Sequence, residues 1–287
     1  MQIETAWRAR LLDWRNGDGG WGYAPATRSR LEPTCLALLA LSGDIDARAA
    51  RAVLAEWPRR DGLLVDGDGL PVNYAFNGLA LLAWLGLGGP RDAFVERAIP
   101  PLVAARGLAL EPSEVVRLDS RLQAWPWVDG TFSWVEPTAW CLLALKKSAR
   151  RVPGVEARVN EAERLLADRA CVGGGWNYGN AMVFATPLPA YPSTTALALL
   201  ALQDRRDLPA VQAGLAFLGP SARSEPSALS VGLAAIALDV LGRRADDLEG
   251  LLRQRIAIAS TLGQVVGVAV ALYALERARH ESSAYRL

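Results

Sequence analysis

One phrase returns along this chain, and a chain built from copies of one supersecondary unit must stack those units or close them into a ring. The phrase is a turn rich in glycine and aromatic residues, then Glu-Pro-Thr or a relative, then a helix of leucine and alanine. Its clearest copies are Glu32-Pro33-Thr34-Cys35-Leu36-Ala37-Leu38-Leu39-Ala40-Leu41 and Glu136-Pro137-Thr138-Ala139-Trp140-Cys141-Leu142-Leu143-Ala144-Leu145. A third begins at Pro192-Ser193-Thr194-Thr195 and ends at Leu202, and a fourth begins at Glu225-Pro226-Ser227 and ends at Leu238. Two more, ending at Trp84 and Leu275, keep the leucine-rich close without the opening signal. The successive endings Leu41, Trp84, Leu145, Leu202, Leu238 and Leu275 lie 43, 61, 57, 36 and 37 residues apart. Each interval holds two helices, and the longest ones hold insertions as well.

The two helices of each interval differ in pattern, and the pattern assigns their layers. The leucine helices are apolar on nearly every face and must be buried all round, with proline in the first turn and acidic or hydroxyl residues where the helix dipole favours them. Between them lie amphipathic, arginine-rich segments at 47–57, 91–105, 156–170, 208–218 and 246–256, with 3–14 before the first leucine helix. Their charged stripe has to stay in water, so they form the outer layer. The expectation is an all-α, (α/α)6 toroid of six helical hairpins filling one domain over residues 1–287. Its inner helices run parallel to one another, with the outer helices antiparallel to them.

Charge and cysteine usage narrow the function classes. Thirty-one Lys and Arg against 30 Asp and Glu leave a formal charge of +1, so no global field favours nucleic acid or an anionic membrane. Peripheral membrane contact remains compatible with the composition, whereas no apolar run reaches the roughly 20 residues of a spanning helix. The opening Met1-Gln2-Ile3-Glu4-Thr5-Ala6-Trp7-Arg8 lacks a signal-peptide core, which predicts a cytoplasmic protein. Cys35, Cys141 and Cys171 are far apart and lack CxxC spacing, so they are expected to be buried thiols. The single histidine, His280, sits among charged residues near the C-terminal end. Neither a catalytic triad nor a zinc site is expected, and no cofactor is implied.

Asn16-Gly17-Asp18-Gly19-Gly20-Trp21-Gly22, Gly173-Gly174-Gly175-Trp176-Asn177-Tyr178 and the looser Asp129-Gly130-Thr131-Phe132-Ser133-Trp134 are similar to the Gly-x-Trp half of the repeats found in squalene and oxidosqualene cyclases. The whole chain resembles that terpenoid cyclase superfamily, which includes protein prenyltransferase β subunits and is built on the same toroid. The resemblance implies a site where the inner helices begin. Cyclases that start by protonation carry Asp-x-Asp-Asp-Thr-Ala there, and the most similar phrase here is Trp134-Val135-Glu136-Pro137-Thr138-Ala139. Aligned on Thr-Ala, Glu136 takes the middle acid position, while Trp134 and Pro137 replace the other two aspartates. The aspartate cluster that holds magnesium in ionisation-dependent terpene synthases and the Asp, Cys and His set that holds zinc in prenyltransferases have no counterparts here. The resemblance therefore implies metal-independent chemistry. Since squalene-type cyclases place their site between two toroids, a partner protein or a second toroid domain is also implied.

Three classes of function follow. In the first, Glu136 is a candidate acid, with Glu32 and Glu225 at the other Glu-Pro starts, and Trp21, Tyr74, Trp134, Trp140, Trp176 and Tyr178 bind an apolar, isoprenoid-like small molecule. Aromatic faces stabilise developing carbocations, and a carboxyl held protonated donates the initiating proton. In the second, the toroid binds an apolar ligand or a protein without catalysis. In the third, it is a carbohydrate-active enzyme, since paired carboxylates and aromatic platforms also suit sugars. Beside all three stands the purely structural reading, in which Glu-Pro-Thr starts helices and the glycine-linked tryptophans staple hairpins together.

Overall fold

The computed structural model describes residues 2–67, 69–111, 118–148, 152–243, 245–276 and 283–287. Its helices are α1 (Gln2–Asp13), α2 (Leu31–Ala40), α3 (Ala47–Ala55), α4 (Tyr74–Gly86), α5 (Ala93–Ala104), α6 (Val135–Ser148), α7 (Val155–Asp168), α8 (Pro192–Ala201), α9 (Pro209–Arg223), α10 (Ala228–Val240), α11 (Asp247–Thr261) and α12 (Val265–Leu275). The even-numbered helices are the leucine helices. Each packs against the next, and α12 packs against α2, so the ring closes. They run parallel: Leu39 meets Gly86 where α2 and α4 end, and Lys146 near the end of α6 donates to the Ala201 carbonyl at the end of α8, at 2.9 Å. The odd-numbered helices lie outside, α5 between α4 and α6, α9 between α8 and α10, and α11 between α10 and α12. This is the expected (α/α)6 toroid.

Burial follows the two sequence patterns. In α2 only Glu32 escapes full burial, and in α8 only Ser193. In α3 just Ala50 and Leu54 are buried, one turn apart on the inward face. Two outer helices run farther than their apolar stripes predict. Helix α9 continues through Gly219-Pro220 to Arg223, because Pro220 and Ala216, whose carbonyl Pro220 cannot reach, both lie on the exposed face. Helix α11 continues past Ile256 until Gly263, whose φ of 67° ends it in a left-handed turn. Two small ribbons, Arg59–Arg60 with Leu63–Leu64 and Met182–Val183 with Thr186–Pro187, decorate the loops.

A repeated clasp sets the register of the inner helices. The Thr34 hydroxyl accepts from the Trp21 backbone N–H at 2.9 Å, Thr138 from Trp125 at 3.3 Å and Thr195 from Trp176 at 2.8 Å. Each of the three tryptophans is fully buried, and its indole N–H donates to the end of the preceding outer helix, at Leu11, Leu102 and Leu166 respectively. In α4 the same post is held by Asn77, which accepts from the Leu64 N–H at 2.8 Å and donates to the Leu64 carbonyl at 3.0 Å. A buried backbone amide costs free energy unless paired, and this clasp pairs it while locking turn, outer helix and inner helix together. Gly175, with φ of 76°, is needed there: a Cβ would stand 2.7 Å from the Thr195 hydroxyl.

Candidate functional site

Counting two residues back from each clasp post gives Glu32 in α2, Ala75 in α4, Glu136 in α6 and Ser193 in α8. The same count from the six leucine-rich endings gives Leu229 in α10 and Val266 in α12. Ala75 is buried, whereas the other five are only half-buried although their flanking residues in the helix are buried. The five half-buried positions therefore form the rim of the ring at the end where the inner helices start, and in α4 the half-buried residue is the next one, Phe76. The rim is amphiphilic. Its α2-to-α6 arc carries two carboxylates, and its α10-to-α12 arc carries Leu229 and Val266. One turn deeper the ring narrows to Leu36, Leu79, Trp140, Leu197, Leu233 and Val270, all nearly buried.

The two acids feel one another. Loss of hydration raises Glu136, and the charge of Glu32 raises it further, up to about 7, with the indole N–H of Trp140 pulling weakly the other way. Glu32 is also raised by loss of hydration, but the Tyr23 hydroxyl donates to its Oε2 at 2.6 Å and pulls it back down. Its partner Tyr23 is in turn held un-ionised by burial and by the Glu32 charge. Burial thus raises both acids, Glu136 to about 7, and the Tyr23 hydrogen bond opposes the rise at Glu32. Two carboxyls whose surroundings push them apart in acidity suit a general acid with its counter-base.

The loops around the mouth are held by a second repeated device. Two residues after each clasped tryptophan, a backbone carbonyl caps the first turn of the preceding inner helix in the ring: Trp127 on Tyr74 N–H at 3.0 Å, Tyr178 on Val135 at 3.0 Å, and Tyr23 on Val265 at 3.2 Å. In the second hairpin the equivalent residue, Asp66, does this with its side chain, accepting from the Leu31 N–H at 2.6 Å and from Arg30 at 2.8 Å. This buried aspartate had no signature in the sequence beyond an Asp-Gly pair. Tyr74 completes the rim, its hydroxyl donating to Asp129 at 2.6 Å.

The structure separates the candidate residues into groups. Glu32, Glu136, Tyr74 and Trp140 belong to the mouth. Tyr178 is half exposed on its outer rim, against Tyr191 at 5.4 Å between ring centroids. Trp21 and Trp176 are not ligand contacts: both are 0 % exposed in the clasp, their indole N–H groups spent on helix ends. Trp134 faces a side cavity of about 210 Å3 beside Leu110, Leu122, Phe132 and Arg169, away from Trp140. Glu225 is one turn out of register, because Ser227 caps α10 and puts Leu229 at the rim. Its carboxylate accepts from the Ser227 N–H at 3.2 Å and its carbonyl from Arg255 at 3.1 Å, the work of a helix-start residue.

Among the described residues no group of three or more His, Cys, Asp or Glu side chains is arranged to hold a metal, and no helix is long and apolar enough to cross a membrane. His280 lies outside the described residues. The three cysteines are buried and unpaired.

No protein-family model matches the chain, and no curated protein matches it in sequence. Solved structures do. The type II terpene cyclase MstE from Scytonema superposes with a TM-score of 0.60 at 14% identity, over 97% of this chain and 98% of that one. A glycosidase gives 0.62 at 12% identity, over 97% and 96%, and a protein from Actinoplanes gives 0.58 at 16%, over 96% and 99%. At these identities the likeness establishes a shared toroid, and function rests on the site.

Proposed function

We infer that the mouth of the toroid is an acid–base site for a ligand with an apolar, isoprenoid-like body, with Glu136 as general acid and Glu32 as its ionised counterpart. The observation that carries this reading is the pair of half-buried rim carboxyls, Glu32 bonded by the Tyr23 phenol and Glu136 raised by burial, opposite an apolar arc of Leu229 and Val266. Three of the mouth's other polar groups are committed to its own framework, Tyr23 to Glu32, Asp66 to the start of α2 and Asp129 to Tyr74, and the Ser193 hydroxyl adds to the rim. A sugar needs many hydrogen-bonding partners, whereas an apolar body needs walls and a few polar groups that converge on one atom. Trp140, one turn below Glu136, presents an aromatic face suited to a developing cation. Protonation of an epoxide, alcohol or alkene by Glu136, followed by proton return to a carboxylate, fits this arrangement. The Scytonema cyclase has also been solved with its product merosterolic acid A, which lends the terpenoid class weight.

A second reading is favoured by the same pair. A raised acid beside an ionised carboxylate is also how glycoside hydrolysis is arranged, and a glycosidase shares the toroid. Product analysis separates the two. Wild-type protein incubated with farnesol, its epoxide and squalene, and in parallel with mannan and malto-oligosaccharides, is expected to convert an isoprenoid and release no reducing sugar. Conversion is expected to vanish in Glu136→Gln, which keeps the shape of the side chain without its proton. Reducing-sugar release that depends on Glu136 would transfer the site to the carbohydrate reading. Isoprenoid binding unchanged in Glu136→Gln, with no conversion in wild type, would leave a binding site without catalysis.

A further inference from the structure

The third hairpin carries more chain than the ring needs. Helix α5 ends 21 residues before the clasped Trp125, whereas α1 and α7 end 8 residues before Trp21 and Trp176. Where this insertion is described, its backbone is paired: the Gly107 N–H donates to the Ala124 carbonyl at 3.0 Å, Leu108 to Thr131 at 2.9 Å and Leu110 to Ser120 at 3.0 Å. Its apolar side chains are not spent in the same way. Leu108 and Leu110 stay about half exposed, and so does Phe132, which is bridged to Leu108. Large apolar groups left in water forgo the stabilisation that burial gives. All three border the side cavity of about 210 Å3, and Trp134, expected at the mouth from its sequence, lines that cavity instead.

The cavity also meets a buried cation. Arg169, the residue after α7, is 5 % exposed and forms part of the wall. Its guanidinium bonds the Asp168 carboxylate and donates to the Asp119 carbonyl at 3.1 Å. Asp168 accepts in turn from the Asp119 N–H at 3.1 Å, and Arg121 pairs with Asp119 at 3.0 Å, so two acids and two arginines balance. Hydrogen-bonding capacity does not balance. A guanidinium has five N–H donors, and beyond the two used by Asp168 and Asp119 none has a partner among the described residues. The side-chain amide of Asn180, also in the wall, makes no hydrogen bond among the described residues either, since only the Asn180 backbone is bonded. Donors in excess beside an apolar hollow match a head group that only accepts, and a carboxylate is such a group. A cavity of about 150 Å3 is enough for benzene, so this one has room for a ring or a branched chain with a short acid arm.

We propose that this cavity is a second binding site, for a small carboxylic acid with an aromatic or branched apolar body. Its carboxylate sits on Arg169 and Asn180, and its body lies against Trp134, Leu110 and Phe132. The site uses none of the mouth's residues and does not depend on what the mouth binds.

The probes are hydrocinnamate and isocaproate, each paired with the corresponding alcohol and titrated calorimetrically near neutral pH into wild type, Leu110→Trp and Arg169→Gln. Wild type is expected to take one acid per chain and to bind the alcohol about tenfold more weakly or worse, because a neutral hydroxyl replaces a charged acceptor. Leu110→Trp, which fills the cavity from a half-exposed position, is expected to abolish binding of both. Arg169→Gln is expected to bring the acid down to the affinity of the alcohol and to leave the alcohol unchanged. Parallel weakening of acid and alcohol in Arg169→Gln would trace the effect to a loosened loop and overturn Arg169 as the head-group contact. Should that variant fail to fold by far-ultraviolet dichroism, Arg169→Lys carries the comparison, keeping the charge with fewer donors and narrowing the preference for acid over alcohol. No binding of either acid by wild type, equal affinity for acid and alcohol, or acid binding that survives Leu110→Trp each overturns the site.

Discussion

Glu32 and Glu136 hold the same position in equivalent helices, and one hydrogen bond makes them different. The Tyr23 hydroxyl stabilises the charged form of Glu32, while Glu136 has only the glancing indole of Trp140 and faces the charge of Glu32. Two consequences can be measured. Activity that uses the Glu136 proton should fall as pH rises through about 7, and Tyr23→Phe should pull that fall toward lower pH. Without the phenol Glu32 stays protonated to higher pH, and a neutral Glu32 no longer holds Glu136 up. Stability carries the opposite label of an ordinary carboxylate. Because the folded-state value of Glu136 lies above the usual one, its contribution is fully present at pH below about 4.5 and is lost as pH rises through about 7. The melting-temperature advantage of Glu136→Gln over wild type should therefore grow between pH 5 and pH 8; a constant difference would mean that Glu136 is hydrated like a surface acid. At this scale the sequence was half legible. The Glu-Pro-Thr phrase located both acids, but it grouped Glu225 with them, since a phrase shifted by one turn reads the same to the eye and lands on a different face.

Within each hairpin, stability is concentrated in the clasp of hydroxyl, tryptophan amide and indole. Thr138→Val keeps the shape and leaves the Trp125 N–H buried without its acceptor, a loss of about 1–3 kcal/mol. Thermal or denaturant unfolding of that variant checks the figure, and a cost near zero would mean that the 3.3 Å contact contributes little. Helix spacing offers a second test. Gly78 lets α4 touch α6 so closely that a Cβ would stand 2.8 Å from the Trp140 carbonyl carbon and the Cys141 nitrogen. Gly78→Val should push the two helices apart, costing several kcal/mol by overpacking, and tilt Trp140 and Glu136 with them. Loss of ligand binding at a temperature where the variant is still folded would show that displacement directly. The elements themselves were legible, because all-round apolar helices and striped helices must occupy different layers. Their ends were less so: the Gly219-Pro220 pair resembles a stop until its exposed face is known. The role of Asn77 was hidden because it performs a threonine's task with a different side chain in a hairpin that lacks the Glu-Pro-Thr phrase.

Across the whole molecule, ring closure makes the six hairpins one structure. In an open array, terminal repeats fray independently, whereas here α12 buries its face against α2. Urea unfolding followed by far-ultraviolet dichroism and by tryptophan fluorescence, which reports on Trp21, Trp125 and Trp176 in different hairpins, should give coincident single transitions. Separated midpoints would show hairpins melting on their own. The ring was predictable from six copies of one phrase, and the side cavity was not, since repeats describe the walls that the hairpins share and say nothing of what an insertion in one of them builds.

The loop bearing Tyr23 has two duties at once. Its carbonyl holds the first residue of α12 while its phenol holds Glu32. A ribosome delivers that loop early and α12 some 240 residues later, so during synthesis the loop waits without its helix and Glu32 without a settled partner. The residue that bonds Glu32 is thus also the one that joins first hairpin to last. Closing the circle therefore fixes the loop that positions Glu32 only when the last helix arrives.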